Sequence, residues 1–187
     1  LWYYLEKIQA LKEEKIVWPE EWLDENDNPF IPYFLFSVDG VDCMTFERQS
    51  PSLNKDPKYY SHKFNSAGLT YEVAIDVYMS RVVHINGPFP SGRGDKANFR
   101  SKLKGMIPAG SVGIADGGYI ASDLMECLAF PSQKASKAVR KHIQRARARH
   151  ETFYGHMKKF KVLAERFRSK HSHNRDAKHQ TCFEAVA

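Results

Sequence analysis

Cysteine is scarce and unpaired in this chain. Cys43, Cys127 and Cys182 are odd in number, widely separated and without a CxxC pair, so neither a disulfide framework nor a zinc ribbon is encoded. Long apolar runs are missing as well. The richest stretch, around Phe34 to Val38, falls far short of the ~20 residues a membrane helix needs, and no signal peptide is recognisable. An intracellular chain with no membrane partner is therefore expected. The loop GPFPSGRG over residues 87–94 lacks the GxxxxGK(S/T) pattern of a P-loop, which removes that mode of nucleotide binding. There is no internal repeat and no low-complexity tract. The first residue is Leu1 rather than Met, from which we expect a piece of a longer product with its N-terminal region missing.

Acidic residues are almost absent from one long segment. Residues 134–170 hold 13 Lys and Arg against two acids, Glu151 and Glu165, whereas residues 1–94 hold 9 basic residues against 14 acidic ones. Charge concentrated in this way attracts a polyanion such as nucleic acid. A solvated basic helix face would look the same by charge alone.

The 187 residues suffice for one domain with a core. Residues 1–23 read as a short helix ended near Pro19, with Leu5, Ile8 and Leu11 on one side. Asp24 to Pro32 is a turn-rich connection. Tyr33 to Val38 is a compact aromatic run expected to form a buried strand that ends in Asp39-Gly40. Residues 47–67 are polar and loop-like. Leu69 to Val77 alternates with period two, the pattern of a half-buried strand, and Arg81 to Asn86 reads as its hairpin partner. Asp95 stands where an N-cap would, ahead of a helix through Leu103. Ser111 to Ala115 is a second short apolar strand, delivering Asp116. From about Gln133 to Lys170 the spacing of Val139, Ile143, Ala146, His150, Phe153, Met157 and Phe160 predicts a helical stripe, kinked or divided near Gly155. The stripe itself reads as core.

Two acids thus follow two apolar strands. Ligand-binding groups in open α/β sheets gather at strand C-termini, so parallel neighbouring strands would bring Asp39 and Asp116 together. Carboxylates at close range repel unless a proton or cation lies between them, and a hard divalent ion with oxygen ligands resolves that repulsion. Glu151 is the third candidate. It lies about 100° round the helix from His150, on the border between the buried and basic faces. Two roles stand open for it, an ion pair with Arg147 one turn earlier or a place at the metal.

Other groups have local explanations. Asp42 reads as a turn cap and as the fallback first acid, Asp76 as a hairpin turn residue, and Asp95 as a helix cap before a supporting group behind the ligands. His171, His173, His179 and Cys182 have no standard zinc spacing, and their segment reads as a solvated tail.

Three blocks, VDGVDC (38–43), IADGGY (114–119) and RARHETFYGHMKKFKVL (147–163), together with the closing CFEAVA (182–187), resemble the DDE superfamily of transposase endonucleases. The Harbinger-type and insertion-sequence-like members are the most similar subgroup. The likeness runs from about Tyr33 to the end, and the 35-residue interval from Asp116 to Glu151 is one that many such enzymes use. Departures occur at PFPSGRGD, where only Asp95 matches the usual Pro-Gly-Ser-x-x-Asp, and at Gly117, where Lys or Ser is more usual. The resemblance implies an α/β, ribonuclease-H-like mixed sheet flanked by helices, with a long basic C-terminal helix carrying the third acid. It implies an N-terminal helical remnant and connection at 1–32, a nuclease domain at 33–170 and a C-terminal tail at 171–187. It further implies two Mg²⁺ or Mn²⁺ ions held by Asp39, Asp116 and Glu151, with catalysis of DNA nicking and strand transfer by those acids. Arg147, Arg149, Lys158 and Lys159 would hold DNA phosphates without reading sequence. DNA is the implied partner, engaged by a homo-oligomer on paired ends, in the nucleus if the source is eukaryotic. Two other readings stand beside this one: a domesticated relative that keeps DNA binding without chemistry, and an unrelated basic nucleic-acid binder.

Overall fold

The structure is a computed structural model and describes residues 1–23, 29–30, 34–46, 56–132, 134–168 and 174–187. In chain order the elements are α1 (Trp2–Ala10), α2 (Lys12–Lys15), β1 (Trp22–Leu23), β2 (Pro29–Phe30), β3 (Phe34–Met44), β4 (Tyr60–Ser61), β5 (Ser66–Asp76), β6 (Val82–Pro90), α3 (Asp95–Ser101), β7 (Val112–Ile114), β8 (Leu128–Ala129), α4 (Lys137–Met157), α5 (Lys161–Ala164) and α6 (Arg175–Val186). Much of the expected turn-rich connection 24–32 and of the polar stretch 47–67 lies outside the described residues, as do Tyr33, His171 and His173. No helix is long and apolar enough to cross a membrane among the described residues.

A mixed sheet carries the architecture. Its order is β4-β5-β3-β7-β8, with β6 paired to the β5 strand. The β3, β5 and β6 strands are antiparallel neighbours, while β7 and β8 run parallel to β3. The β5 strand, expected to be half-buried, is buried along all of its length. Its alternation does not separate core from solvent, because both faces of the sheet are covered. Val38, Ala74, Phe99, Leu103 and Tyr119 pack on the α3 side. Val41, Tyr71, Val73, Met157, Leu163 and Phe183 pack on the α4–α6 side.

Three sequence expectations are revised. The strand that carries Asp39 does not end there but continues to Met44, because β5 pairs with it as far as Met44. The expected loop at 87–94 is strand up to Pro90. The basic helix runs unbroken through Gly155, and its break falls after Met157, where Phe160 turns extended before α5. Ile143, Ala146, His150 and Met157 of its apolar stripe are buried, while Val139 and Phe160 at the ends are exposed.

The closing segment is no solvated tail over residues 175–186. It forms α6 and buries His179, Cys182 and Phe183. Phe183 stacks on Tyr71 with ring centroids 3.8 Å apart, and the Tyr71 hydroxyl meets His179 Nδ1 at 2.7 Å. The first helices dock on α6, where Gln9 and Lys12 each donate to the Glu184 carboxylate at 2.6 Å. The basic helix carrying Glu151 is therefore followed by two more helices and does not close the chain.

Candidate active site

The parallel register of β3 and β7 builds the site. Ser37 pairs with Ile114, and pairing stops there. Two residues further along each chain stand Asp39 and Asp116, at the same level. Beyond this level, among the described residues, only an isolated bridge between Thr45 and Phe167 meets β3 on the β7 side, and between the two both carboxylates stand half-buried. Opposite Gly113, the Phe36 ring occupies the space a side chain would need, so glycine is required for β7 to approach this closely.

Short local bonds orient each acid. Asp39 Oδ1 accepts from the Gly40 amide at 2.8 Å, and Asp116 Oδ1 accepts from the Gly118 amide at 2.8 Å, capping the single turn Gly117–Tyr119. Burial pushes the Asp39 carboxyl up to about 6, the Asp116 and Asp95 charges push in the same direction, and the Gly40 amide and Lys63 oppose them. Desolvation and like charge both favour the protonated form unless a cation is present.

Asp95 belongs to this group, contrary to its reading as a helix cap. Gly94 occupies the cap position, and Asp95 is the first residue inside α3, making no capping bond. Its carboxylate lies against both acid-bearing turns. A methyl group placed on Gly40 would meet Asp95 Oδ1 at 2.9 Å, and one on Gly118 would meet Oδ2 at 2.8 Å. Burial raises its carboxyl, with the Asp116 charge next. The Asp in PFPSGRGD was visible in sequence, but its contacts depend on two glycines distant in the chain. Lys63, whose charge acts on both Asp39 and Asp95, carried no sequence signal.

Asp42 is not a turn cap. It lies within β3, on the opposite side of the strand from Asp39, and accepts from Ser61 and Thr70 hydroxyls at 2.6 Å each. Asp76 accepts from the Tyr78 and Met79 amides, as a turn residue does.

The α4 helix runs beside β3 and closes the site on one side. His150 Nε2 meets Ser37 Oγ at 2.9 Å, and the Tyr154 hydroxyl donates to the Asp39 carbonyl at 2.9 Å. Burial lowers His150 to about 4, so its ring is neutral at physiological pH. Arg140, Gln144, Arg147, Glu151 and Lys158 are exposed and spaced to form one stripe on the helix. This stripe borders Tyr154. Its first part, with Pro131 and Ser132 beyond β8, lines a cleft of about 400 Å³.

Glu151 is exposed, and among the described residues no ion pair joins it to Arg147. Among the described residues no three His, Cys, Asp or Glu side chains, whether Glu151 or the inner acids, are grouped so that they could hold a metal ion. Lys158 and Lys159 are exposed, and Arg149 is half-buried on the other flank of the helix, donating to the Val77 carbonyl.

A family model described as DDE superfamily endonuclease matches residues 41–184. The chain belongs to that superfamily. The match takes in Asp95, Asp116 and Glu151 and begins two residues after Asp39. Comparison with curated proteins and with solved structures gives no match.

The chemistry of the donor atoms, though not their present spacing, suits a hard divalent cation. The donor set is oxygen only, the Asp116 charge raises the carboxyls of Asp39 and Asp95, and the two glycines form a cradle that Asp95 fills.

Proposed function

We propose that this chain is the nuclease and strand-transfer core of a transposase, cleaving DNA phosphodiester bonds with Asp39, Asp116 and Glu151 as metal-binding acids. The observation that carries the reading is the β3–β7 register, with Asp39 and Asp116 level where β7 stops pairing with β3, a place that the basic α4 stripe flanks. A ribonuclease-H-like fold is the natural description of a sheet in which antiparallel β6, β5 and β3 continue into parallel β7 and β8.

Each group has a task that follows from its chemistry. Asp39 and Asp116 supply hard anionic oxygen in a half-buried setting, where charge interactions are stronger than in water. One or two Mg²⁺ or Mn²⁺ ions bound there would supply charge stabilisation at the scissile phosphate and an activated oxygen nucleophile. Arg140 and Arg147 line the cleft between α4 and the segment after β8, and Lys158 continues the same stripe; all three offer cationic donors to successive phosphates of a DNA strand. Lys159 extends this surface, while Arg149 serves first as a brace to Val77. Glu151 sits among these cations and joins the inner acids when DNA and metal draw the helix side chain inward. The active unit is a homo-oligomer acting on paired DNA ends.

A second reading, a relative that binds DNA without cutting it, is favoured by the absence, among the described residues, of three acids grouped to hold a metal ion. Nicking of supercoiled plasmid in Mg²⁺ or Mn²⁺ separates the two. Cleavage by the wild type that drops to background in Asp116→Asn and Glu151→Gln supports the nuclease. Tight DNA binding with intact plasmid in every metal supports the second reading.

A further inference from the structure

The basic α4 helix carries cations on two flanks. At about 100° per residue, Arg145 lies about 200° round the helix from Arg147, so the two side chains leave α4 on opposite sides. Arg140 and Arg147 border the segment after β8, whereas Arg145, Arg149 and His156 line a separate cleft of about 650 Å³ between α4 and the turn that joins β5 to β6. Ser80 of that turn and Thr152 of α4 add hydroxyls, and the half-buried Phe153 ring supplies an apolar wall.

What this cleft lacks is a counter-charge. Among the described residues no acid lines it. The carboxylate of the hairpin itself, Asp76, accepts from the Tyr78 and Met79 amides and faces Arg81 at 3.7 Å. Arg149 donates to the Val77 carbonyl, which anchors its guanidinium to the turn and leaves the charge uncompensated. The side chains of Arg145 and His156 are exposed, and among the described residues no hydrogen bond or ion pair engages them. Their neighbour His142 registers the crowding: burial lowers its ring, and the Arg149 and Arg145 charges lower it further. Ser80 stands at φ 56°, a left-handed conformation that glycine adopts more readily, and a glycine there would bring no hydroxyl to the cleft.

The spacing of the cations selects the ligand. From Arg145 to His156 they span about 16 Å of helix at a rise of about 1.5 Å per residue. A single phosphate ion cannot meet such a row, whereas a DNA strand carries a charge about every 3.4 Å of its axis. We propose that this cleft binds the sugar–phosphate backbone of a second DNA segment, separate from the one at the acids. The body of α4, about 10–12 Å across with its side chains, stands between the two clefts. The proposal rests on the reading of α4 as a DNA-binding surface, and not on metal or cleavage.

The test uses two short duplexes and the whole chain in chelator, so that binding is read apart from cleavage. One duplex is fixed to beads, the other carries a fluorophore, and bead-bound protein is scored for capture of the second. The wild type should capture it. Arg145→Gln combined with His156→Gln should still load on the beads, while capture falls to background. Thr152→Glu, which keeps both arginines and adds an anion to the cleft, should do the same. All three positions are exposed, so Tm should hold. The salt slope of affinity for the captured duplex should fall by about one in Arg145→Gln alone. Wild-type capture by these variants, with loss only in Arg140→Gln combined with Arg147→Gln, overturns this inference and leaves the acid-side surface standing. Weaker loading in both sets of variants, without capture by the wild type, overturns it in favour of one duplex straddling α4. Arg145-dependent binding of inorganic phosphate, with capture unchanged in the variants, overturns the DNA assignment of the cleft. No loading of the wild type on DNA overturns the reading of α4 and this inference with it.

Discussion

The Tyr154 hydroxyl of α4 donates to the main-chain carbonyl of Asp39 across 2.9 Å, at the level where the β7 strand stops pairing with β3. With the bond from His150 to Ser37 one turn earlier, it fixes the basic helix against the strand that carries the first acid. The cation-rich stripe and the carboxylates are therefore held in one frame. Neither bond involves a catalytic side chain directly, so each can be removed without deleting the chemistry.

Tyr154→Phe keeps the ring and removes the hydroxyl. The loss of one largely buried hydrogen bond costs about 1 kcal/mol, which for a chain of this size lowers Tm by roughly 2–4 °C. Cleavage should slow while divalent-ion affinity is kept, because the acids remain. Thermal melting and nicking rates check this; an unchanged Tm would mean the bond does not hold α4 to β3.

Glu72 gives the stability a pH dependence of defined sign. Burial pushes its carboxyl up to about 8, the Asp95 charge adds to the rise, and Asn86 opposes it. Its folded value lies above the ordinary 4.5, so the stabilising contribution is complete below about 4.5 and is lost as pH rises through 8. Glu72→Gln removes that loss. In chelator, the variant should melt near the wild type at pH 5 and increasingly above it toward pH 9, a difference of several degrees. A constant difference across that range would show that Glu72 does not titrate where its burial implies.

Much of this arrangement was legible in the chain itself, and what was not has physical reasons. Asp39 and Asp116 stood out because each follows a short apolar run; Asp116 does lie just past the end of β7, whereas Asp39 lies within β3 and is uncovered because β7 stops pairing beside it. That Ser37 pairs with Ile114 could not be read, since parallel pairing joins segments 77 residues apart and leaves no local mark. Asp95 misled because an acid at the start of a helix is usually a cap. The acid is there, but Gly40 and Gly118 leave the room that draws its carboxylate inward. The polar run RDAKHQTC looked solvated because composition does not reveal that His179 finds the Tyr71 hydroxyl and that Phe183 stacks on the same ring.

Gly113→Ala tests how closely β7 approaches β3. The added methyl would fall on the Phe36 ring, which is itself fully buried. Overpacking of this kind costs about 1–3 kcal/mol. The expected result is a clear drop in Tm together with weakened cation binding, since β7 must move away from β3 and take Asp116 with it. Retention of wild-type Tm would show that β3 and β7 are not packed as tightly as this register requires.

The central claim is that Asp116 meets a catalytic metal ion, and a change of metal preference tests it most directly. Asp116→Cys replaces a hard oxygen ligand by a softer sulfur, which suits Mg²⁺ poorly and thiophilic ions better. Plasmid nicking by this variant should be lost in Mg²⁺ and recovered in part when Mn²⁺ with a little Cd²⁺ is supplied, while the wild type works in Mg²⁺ alone. Equal loss in every metal, or wild-type cleavage that survives a chelator, would contradict the account.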